Sequence, residues 1–283
     1  MIIKKLFKCL LSYFAKFLIT IFSSTNSGRF FIEKINSSIL EKKKFIKHKD
    51  LTFNFYTPNR LTFYRVKTFS DKEPKTLEWI DRFEKDCTFW DIGANIGLYS
   101  CYAAKRANAN VYSFEPSVFN IEILSKNIFI NSLTKKITIV FFPLSEGLNI
   151  KNFYVSNKDY GGALANFGDE TLLNNVKREK NVFNYKTLGI SADESINILK
   201  LKKPDYLKLD VDGIENLILK GSSLLLKNVK SLLVEVDESD KKNLETIYYY
   251  LKNSGLKLIE KNPAVLNTKS KKFKSYFNQI WGR

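Results

Sequence analysis

The chain has 283 residues, 44% of them hydrophobic and 14% aromatic, with a formal net charge of +17 that comes mostly from lysine. That composition excludes a disordered chain, and the length allows one α/β domain of about 200 residues with extensions. The charge predicts attraction to phosphates, anionic lipid headgroups or acidic glycans, or reflects a general lysine bias; it does not bear on fold. Cys9, Cys87 and Cys101 share no metal-ligand spacing, so a reducing, cytoplasmic setting is expected. The single histidine, His48, lies in the basic run 41–49, so any histidine-built zinc site or Ser-His-Asp triad would rest on that one residue.

Residues 1–50 read as a basic, helical N-terminal extension. Between Leu6 and Phe22 the chain is strongly apolar but interrupted by Lys8 and Lys16. A spanning helix wants about 20 apolar residues with few charges, so the stretch is a poor transmembrane candidate. At helical spacing Lys5, Lys8, Ser12 and Lys16 share one face and Leu6, Phe7, Leu10, Phe14 and Phe17 cover the rest. That predicts a helix at a membrane surface, peripheral to the cytoplasm, or one docked on the domain or on a second subunit. No small-residue cleavage pattern closes the apolar run as in a signal peptide.

Residues 51–75 read as a hairpin-like lead-in. Leu51, Phe53 and Phe55 alternate, Pro58-Asn59-Arg60 turns the chain, and Leu61, Phe63 and Tyr64 begin a second run. A short helix over 76–83 then delivers the chain to Thr88-Phe89-Trp90-Asp91 and the turn Ile92-Gly93-Ala94-Asn95-Ile96-Gly97. From there strands and helices alternate: strand 110–115, helix 117–130, strand 136–142 and strand 152–156. Gly161-Gly162 and Asn166-Phe167-Gly168 suggest a loop, followed by an irregular stretch over 170–202 with 185–190 extended and 193–199 helical. Regularity returns with strand 204–210, helix 214–227, strand 230–236, helix 241–254 closed by Gly255, and strand 256–260. The tail carries Lys269, Lys271, Lys272 and Lys274 before Phe277–Trp281, which reads as a last strand or a docked segment.

This alternation predicts an α/β fold, a doubly wound parallel sheet with helices on both faces, filling residues 76–283. Ligands of such sheets sit beyond the carboxyl ends of the strands, at the topological switch point. The strand ends here are Asp91, Glu115, the turn Pro143-Leu144-Ser145, Asp210 and Glu235. Acids cluster where strand interiors are otherwise apolar.

An acid about 20 residues after a glycine turn can accept hydrogen bonds from a ribose diol; Glu115 holds that position. A dinucleotide site also wants Gly-x-Gly-x-x-Gly for close approach of a pyrophosphate, and Gly93–Gly97 has no such triplet. An Asp before the turn, with side chains filling it, better suits S-adenosylmethionine, whose amine can meet an acid and whose carboxylate can meet turn N–H groups.

The ordered set Asp91-Ile-Gly-Ala-Asn-Ile-Gly-Leu-Tyr-Ser, Tyr112-Ser-Phe-Glu-Pro116 with Asn127 and Asn131, Leu207-Lys-Leu-Asp-Val-Asp-Gly-Ile-Glu215 with Leu219-Lys-Gly221, and Leu233-Val-Glu235 resembles the FkbM-type family of S-adenosylmethionine-dependent methyltransferases. The resemblance covers about residues 75–260. It implies a class I, Rossmann-like methyltransferase fold, a mostly parallel seven-stranded sheet whose last strand is antiparallel, and mainly O-methylation of sugars or secondary-metabolite hydroxyls. By that match Asp91, Gly93, Asn95, Gly97 and Glu115 would hold the cofactor, with Ser145 near the adenine. The family usually has Glu where this chain has Asp212.

Methyl transfer from a sulfonium is an in-line displacement, so the protein mainly aligns donor and acceptor and manages the acceptor's proton. Asp210 is expected as base or hydroxyl-orienting group, with Glu235 beside it in the catalytic role. Asp212, with Glu235, would meet the acceptor or, alternatively, a divalent ion; no metal site is assigned. Lys208 alternates with Asp210 on its strand and would pair with it at the acceptor site; otherwise Asp210 only caps the next helix. Glu215 reads as a capping residue. Tyr160, with Tyr154 and Phe167 around the paired glycines, would bracket a sugar ring as a lid, or the glycines merely make turns. The expected acceptor is a small molecule or glycan. A nucleic-acid methyltransferase is disfavoured because Asp210-Val-Asp-Gly213 stands where an (Asp/Asn)-Pro-Pro-aromatic motif would be, and a nicotinamide oxidoreductase is disfavoured by the turn. A catalytically silent protein recruited to a membrane is the remaining alternative.

Overall fold

The computed structural model describes residues 2–168, 182–264 and 275–283. Two helices lead, α1 (Ile2–Ser23) and α2 (Asn26–Leu40), followed by the antiparallel strands β1 (Lys43–His48) and β2 (Leu51–Tyr56). Three short helices come next, α3 (Arg60–Lys67), α4 (Phe69–Lys72) and α5 (Pro74–Asp81). The hairpin therefore lies earlier than the sequence suggested, and the division between residues 1–50 and 51–75 falls inside it. The run expected as its second strand is α3. Asn59 decides this: its side chain accepts the backbone N–H of Thr62 at 2.8 Å, while the Thr62 hydroxyl takes the backbone N–H of Asn59. Such a reciprocal cap outweighs the strand-like alternation of Leu61 and Phe63.

The main sheet contains β3 (Thr88–Ile92), β4 (Asn110–Phe114), β5 (Ile137–Val140), β9 (Tyr206–Leu209), β10 (Ser231–Asp237), β11 (Lys257–Pro263) and β12 (Tyr276–Gly282). Their spatial order is β11-β12-β10-β9-β3-β4-β5, with β12 antiparallel to both neighbours and β5, β4, β3, β9 and β10 mutually parallel. This is the expected doubly wound sheet, and the tail is its last strand; Lys269, Lys271, Lys272 and Lys274 lie outside the described residues. Between β5 and β9 stand β6 (Asn149–Val155), β7 (Ala165–Phe167) and β8 (Phe183–Gly189), which form a separate three-stranded antiparallel sheet, and α8 (Ala192–Ile198). Part of the irregular stretch expected over 170–202 also falls outside the described residues.

The helices α6 (Leu98–Arg106), α7 (Val118–Ile130), α9 (Glu215–Lys220) and α10 (Lys241–Asn253) follow their strands as predicted. The helix expected over 214–227 instead breaks at Gly221 into α9 and a 3-10 turn at Leu225–Asn228. A Cβ at Gly221 would lie 2.4 Å from the Ser145 carbonyl, so the chain passes too close there for any larger residue. Alternate residues of β3 feed opposite faces. Phe89 joins an apolar cluster with Phe53, Phe55, Tyr102 and Ile123, and Trp90 joins another with Phe114, Leu207, Ile218 and Trp281. All five residues of the strand are buried, Asp91 among them, and the chain reaches the cleft at Ile92 and Gly93.

Candidate active site

The chain reverses its strand order between β3 and β9, and a cleft of about 470 Å³ opens beyond their carboxyl ends. Gly93, Asn95, Glu115, Asp210, Asp212 and Glu235 all line it, bringing together six of the residues singled out from the sequence.

Gly93 adopts φ +84°, and a Cβ on it would lie 1.9 Å from the Asp210 carbonyl oxygen. Only glycine lets the first turn and the end of β9 meet. Asn95 sits at φ +52°, donates its backbone N–H to Glu115 Oε2 at 2.8 Å, and donates its side-chain amide to the Gly162 carbonyl at 2.7 Å. Glu115 also accepts the Ser117 backbone N–H at 2.8 Å. Burial pushes its carboxyl up to about 7, although the two backbone N–H groups pull the other way.

Asp91 and Gly97 do not line the cleft. Asp91 faces the same side of the sheet as Phe89, and Ser100 of α6 donates its hydroxyl to Asp91 Oδ2 at 2.6 Å. It therefore braces the helix beneath the turn. Gly97, at φ +82°, precedes α6; a Cβ there would lie 2.4 Å from Leu124 Cδ1, so its role is close packing of the turn on α7. Ser145 is buried one residue beyond the wall that Phe142, Pro143 and Leu144 make, with its N–H given to the Ile190 carbonyl. Tyr160 is turned away as well: its hydroxyl donates to Glu122 Oε2 at 2.9 Å and its carbonyl accepts from Asn59. Gly162, Ala163, Leu164 and Ala165 form that wall instead of a tyrosine lid.

At the opposite wall, neighbouring strands present Asp210 and Glu235 one residue beyond the paired Leu209 and Val234. Lys208 is 1% exposed and donates to Asp210 Oδ2 at 2.5 Å, with its ammonium 5.2 Å from the Tyr99 ring. Burial alone would raise the Asp210 carboxyl, but Lys208 against it, with Lys72 and Arg65 nearby, holds it below its ordinary value. Lys208 is itself raised: burial opposes its charge, and Asp210, Asp91 and Glu73 more than offset that. Glu235 has no ion pair among the described residues: burial, then Asp210, Glu73 and Asp212, push its carboxyl well above the usual range, against a smaller opposing pull from Lys72. Asp212 is raised to about 6, chiefly by burial, and accepts the Ala165 N–H at 2.9 Å, tying the 162–165 wall to the end of β9. Glu215 accepts the Gly213 N–H at 3.3 Å, but it is the first residue of α9, whose N-cap is Ile214 with no side-chain cap, so the capping box expected from its spacing to Asp212 does not form. Among the described residues, no group of three or more His, Cys, Asp or Glu side chains is arranged to hold a metal ion.

Several cleft residues went unread in the sequence. Leu61, Tyr64 and Arg65 come from α3, and Lys72 and Glu73 from the junction of α4 and α5. Lys72 pairs with Glu73 at 2.8 Å, while Arg65 donates Nε–H to the Gly161 carbonyl at 2.7 Å. Asn120 of α7 accepts the Gly161 N–H at 2.9 Å and donates to Gly162 at 3.1 Å. The cap at Asn59 and the helical spacing of Leu61, Tyr64 and Arg65 were the available signals for α3.

The cleft fits the cofactor implied by the turn. Gly93, Asn95 and Glu115, which could hold its amino-acid and ribose parts, line the cleft together with the apolar residues Phe114, Phe142, Leu144 and Ile218. A family model described as the methyltransferase FkbM domain matches residues 91–258. The chain is 25% identical over 174 residues to a protein named hexuronic acid methyltransferase AglP from Haloferax volcanii, covering 61% of this chain and 65% of that one. It is 28% identical over 156 residues to methyltransferase sdnD of Sordaria araneosa, covering 46% and 58%. It therefore spans less than two thirds of the length of these curated relatives. Among solved structures, a precorrin-6y C5,15-methyltransferase from Geobacter metallireducens superposes at a TM-score of 0.43 with 14% identity, covering 75% of this chain and 86% of that one. With more than half of its 283 residues matched by the domain model, and Glu115, Asp210 and Glu235 of that match gathered in one cleft, the chain belongs to the FkbM methyltransferase family.

Proposed function

We propose that this protein transfers the methyl group of S-adenosylmethionine to a hydroxyl of a sugar, glycan or secondary metabolite. The observation that carries this reading is the meeting, in one cleft, of a glycine turn with Glu115 on one wall and the pair Asp210 and Glu235 on the other. When bound, S-adenosylmethionine supplies an activated methyl group on a positively charged sulfur. Gly93 and Asn95 would admit its amino-acid end, Glu115 would accept from the ribose diol, and the slot by Phe142 and Leu144 would take the adenine. Asp210, kept ionised by Lys208, would accept the hydrogen bond of the acceptor hydroxyl, orient its oxygen lone pair toward the methyl carbon, and receive its proton as the new C–O bond forms. That bond replaces the methyl–sulfur bond, whose electron pair stays on sulfur in the departing S-adenosylhomocysteine. Glu235, protonated, would donate a hydrogen bond to a neighbouring oxygen of the acceptor.

A sugar acceptor is supported by the density of carboxyl groups facing the cleft, which suit hydroxyls better than phosphates. The substrate class in the name of the Haloferax volcanii relative is a hexuronic acid. Arg65 lines this cleft with no carboxylate in ion-pair contact among the described residues, and would pair with such an acid group. We place the protein in the cytoplasm, with residues 1–22 meeting a membrane surface.

The test uses labelled S-adenosylmethionine and glycan, lipid, nucleic-acid and small-molecule fractions of a cell extract. Label is expected in the glycan or small-molecule pool, and Asp210→Asn should lower the rate by about a hundredfold while S-adenosylmethionine still binds. Unchanged transfer by that variant would remove Asp210 from the reaction, and label confined to nucleic acid would overturn the acceptor class.

A further inference from the structure

The N-terminal helices are not part of the cleft, and their surface is not that of a segment made for water. From Leu6 to Ser23 helix α1 has a mean hydropathy of 1.6, and none of this stretch is buried among the described residues. By length and composition alone it is apolar enough to cross a membrane despite Lys8 and Lys16, contrary to the expectation from the sequence. Leu6, Phe7, Leu10, Phe14 and Phe17 are each at least 56% exposed. Monomeric proteins rarely leave so large a contiguous apolar surface uncovered. Sequence reasoning allowed α1 to dock on its own domain. It does not: its packing partner is α2, through the rings of Phe22 and Phe31 at 5.4 Å.

Helix α2 repeats the pattern in amphipathic form. Thr25 caps its start by accepting the Gly28 N–H at 3.0 Å, and Gly28 must be glycine because a Cβ would lie 1.9 Å from the Phe22 carbonyl. That close approach fixes a tight turn between the two helices. Phe30, Phe31, Ile35 and Ile39 of α2 are exposed, while Glu33, Lys34, Asn36, Ser37 and Ser38 make it too polar to cross a bilayer.

Charge identifies what covers this surface. Lys8 and Lys16 recur at helical spacing in one polar stripe of α1 with Ser12 and Thr20, and α1 has no acidic residue. Beyond α2, the exposed residues of β1 alternate Lys43, Phe45 and Lys47. Lysines whose stems lie along apolar surface, interleaved with exposed aromatic rings, match the boundary between acyl chains and anionic headgroups. A second protein copy would have to accept the same lysines into an apolar interface.

We propose that α1 and α2 form a two-helix foot that binds the surface of an anionic lipid bilayer. The foot is independent of the methyl-transfer reading, since it shares no residue with the cleft and its test reads binding alone. The full chain is mixed with vesicles of phosphatidylcholine, or of phosphatidylcholine with phosphatidylglycerol, and separated by flotation. The anionic vesicles should carry the protein up and the neutral ones should carry much less. The double variant Lys8→Gln with Lys16→Gln should lose about fivefold in partitioning per lysine. Phe30→Ser with Ile35→Ser, on the second helix and apart from the Phe22–Phe31 contact, should lose more than about tenfold. All four positions are exposed, so the fold survives the changes, which circular dichroism checks. Equal binding to both vesicle types, insensitivity to either variant, or absence of binding with a dimer mass by light scattering would each overturn the proposal.

Discussion

Asp210 and Glu235 end adjacent parallel strands at the same depth in the cleft, yet their carboxyl groups are displaced in opposite directions. Asp210 has Lys208 against it, which holds its carboxyl low; Glu235 has burial and other acids around it, which raise its carboxyl against a weaker pull from Lys72. One buried lysine makes the difference. A single cation at a sheet end crowded with acids is enough for two neighbouring carboxyl groups to be displaced in opposite directions. The same lysine links this pair to Asp91, which lies opposite Lys208 in the sheet register and braces the glycine turn from below.

The strongest way to break that arrangement is to push its walls apart. Gly93→Ala would set a Cβ against the Asp210 carbonyl at 1.9 Å in a backbone conformation that favours glycine. A loss of about 3 kcal/mol or more is expected in chemical denaturation, together with loss of S-adenosylmethionine binding. Lys208→Met attacks the comparison itself. It leaves the Asp210 carboxylate facing a buried apolar stem, at a cost of about 3 kcal/mol, and should bring Asp210 toward the behaviour of Glu235. A double variant with Asp210→Asn should recover much of that stability, because the orphaned charge is gone. A double variant no more stable than Lys208→Met would show that the pair is not coupled as described.

Glu115 sharpens the comparison at the cofactor end, where a third carboxyl is raised without a cation beside it. Its pKa moves from 4.5 up to about 7 on folding. The folded chain therefore holds that proton more tightly than the unfolded chain. This contribution to stability is complete below about pH 4.5 and is lost as pH rises through about 7. Denaturation midpoints of the wild type and Glu115→Gln across that window should show a fall with pH that the variant lacks. The smallest effect is expected from Tyr160→Phe. It removes one hydrogen bond to a half-exposed Glu122, should cost less than about 1 kcal/mol, and should leave KM for the acceptor unchanged.

The difference between what the sequence disclosed and what it hid follows from where each residue gets its environment. Gly93, Glu115, Asp210 and Glu235 were legible because strand, turn and helix chemistry is local and the sheet then carries every strand end to one side. Asp91 and Gly97 belong to the same turn, but strand alternation and helix contact send them beneath it. Tyr160 looked like a sugar platform from its glycine neighbours, while a single carboxylate on α7 decides its direction. Arg65, Lys72 and Glu73 reach the cleft from short helices, of which α3 has apolar residues that also alternate like a strand, and the Asn59 cap with the spacing of Leu61, Tyr64 and Arg65 is what distinguishes the two. The break at Gly221 depends on the Ser145 carbonyl, far away in the chain.

The most direct measurement of the central claim is calorimetric titration of the full-length protein with S-adenosylmethionine and, separately, with NAD. The cleft described here predicts one site for S-adenosylmethionine, lost in Gly93→Ala and retained in Asp210→Asn, and no binding of NAD. Binding of NAD in place of S-adenosylmethionine, or S-adenosylmethionine binding that Gly93→Ala leaves intact in the folded variant, would contradict it.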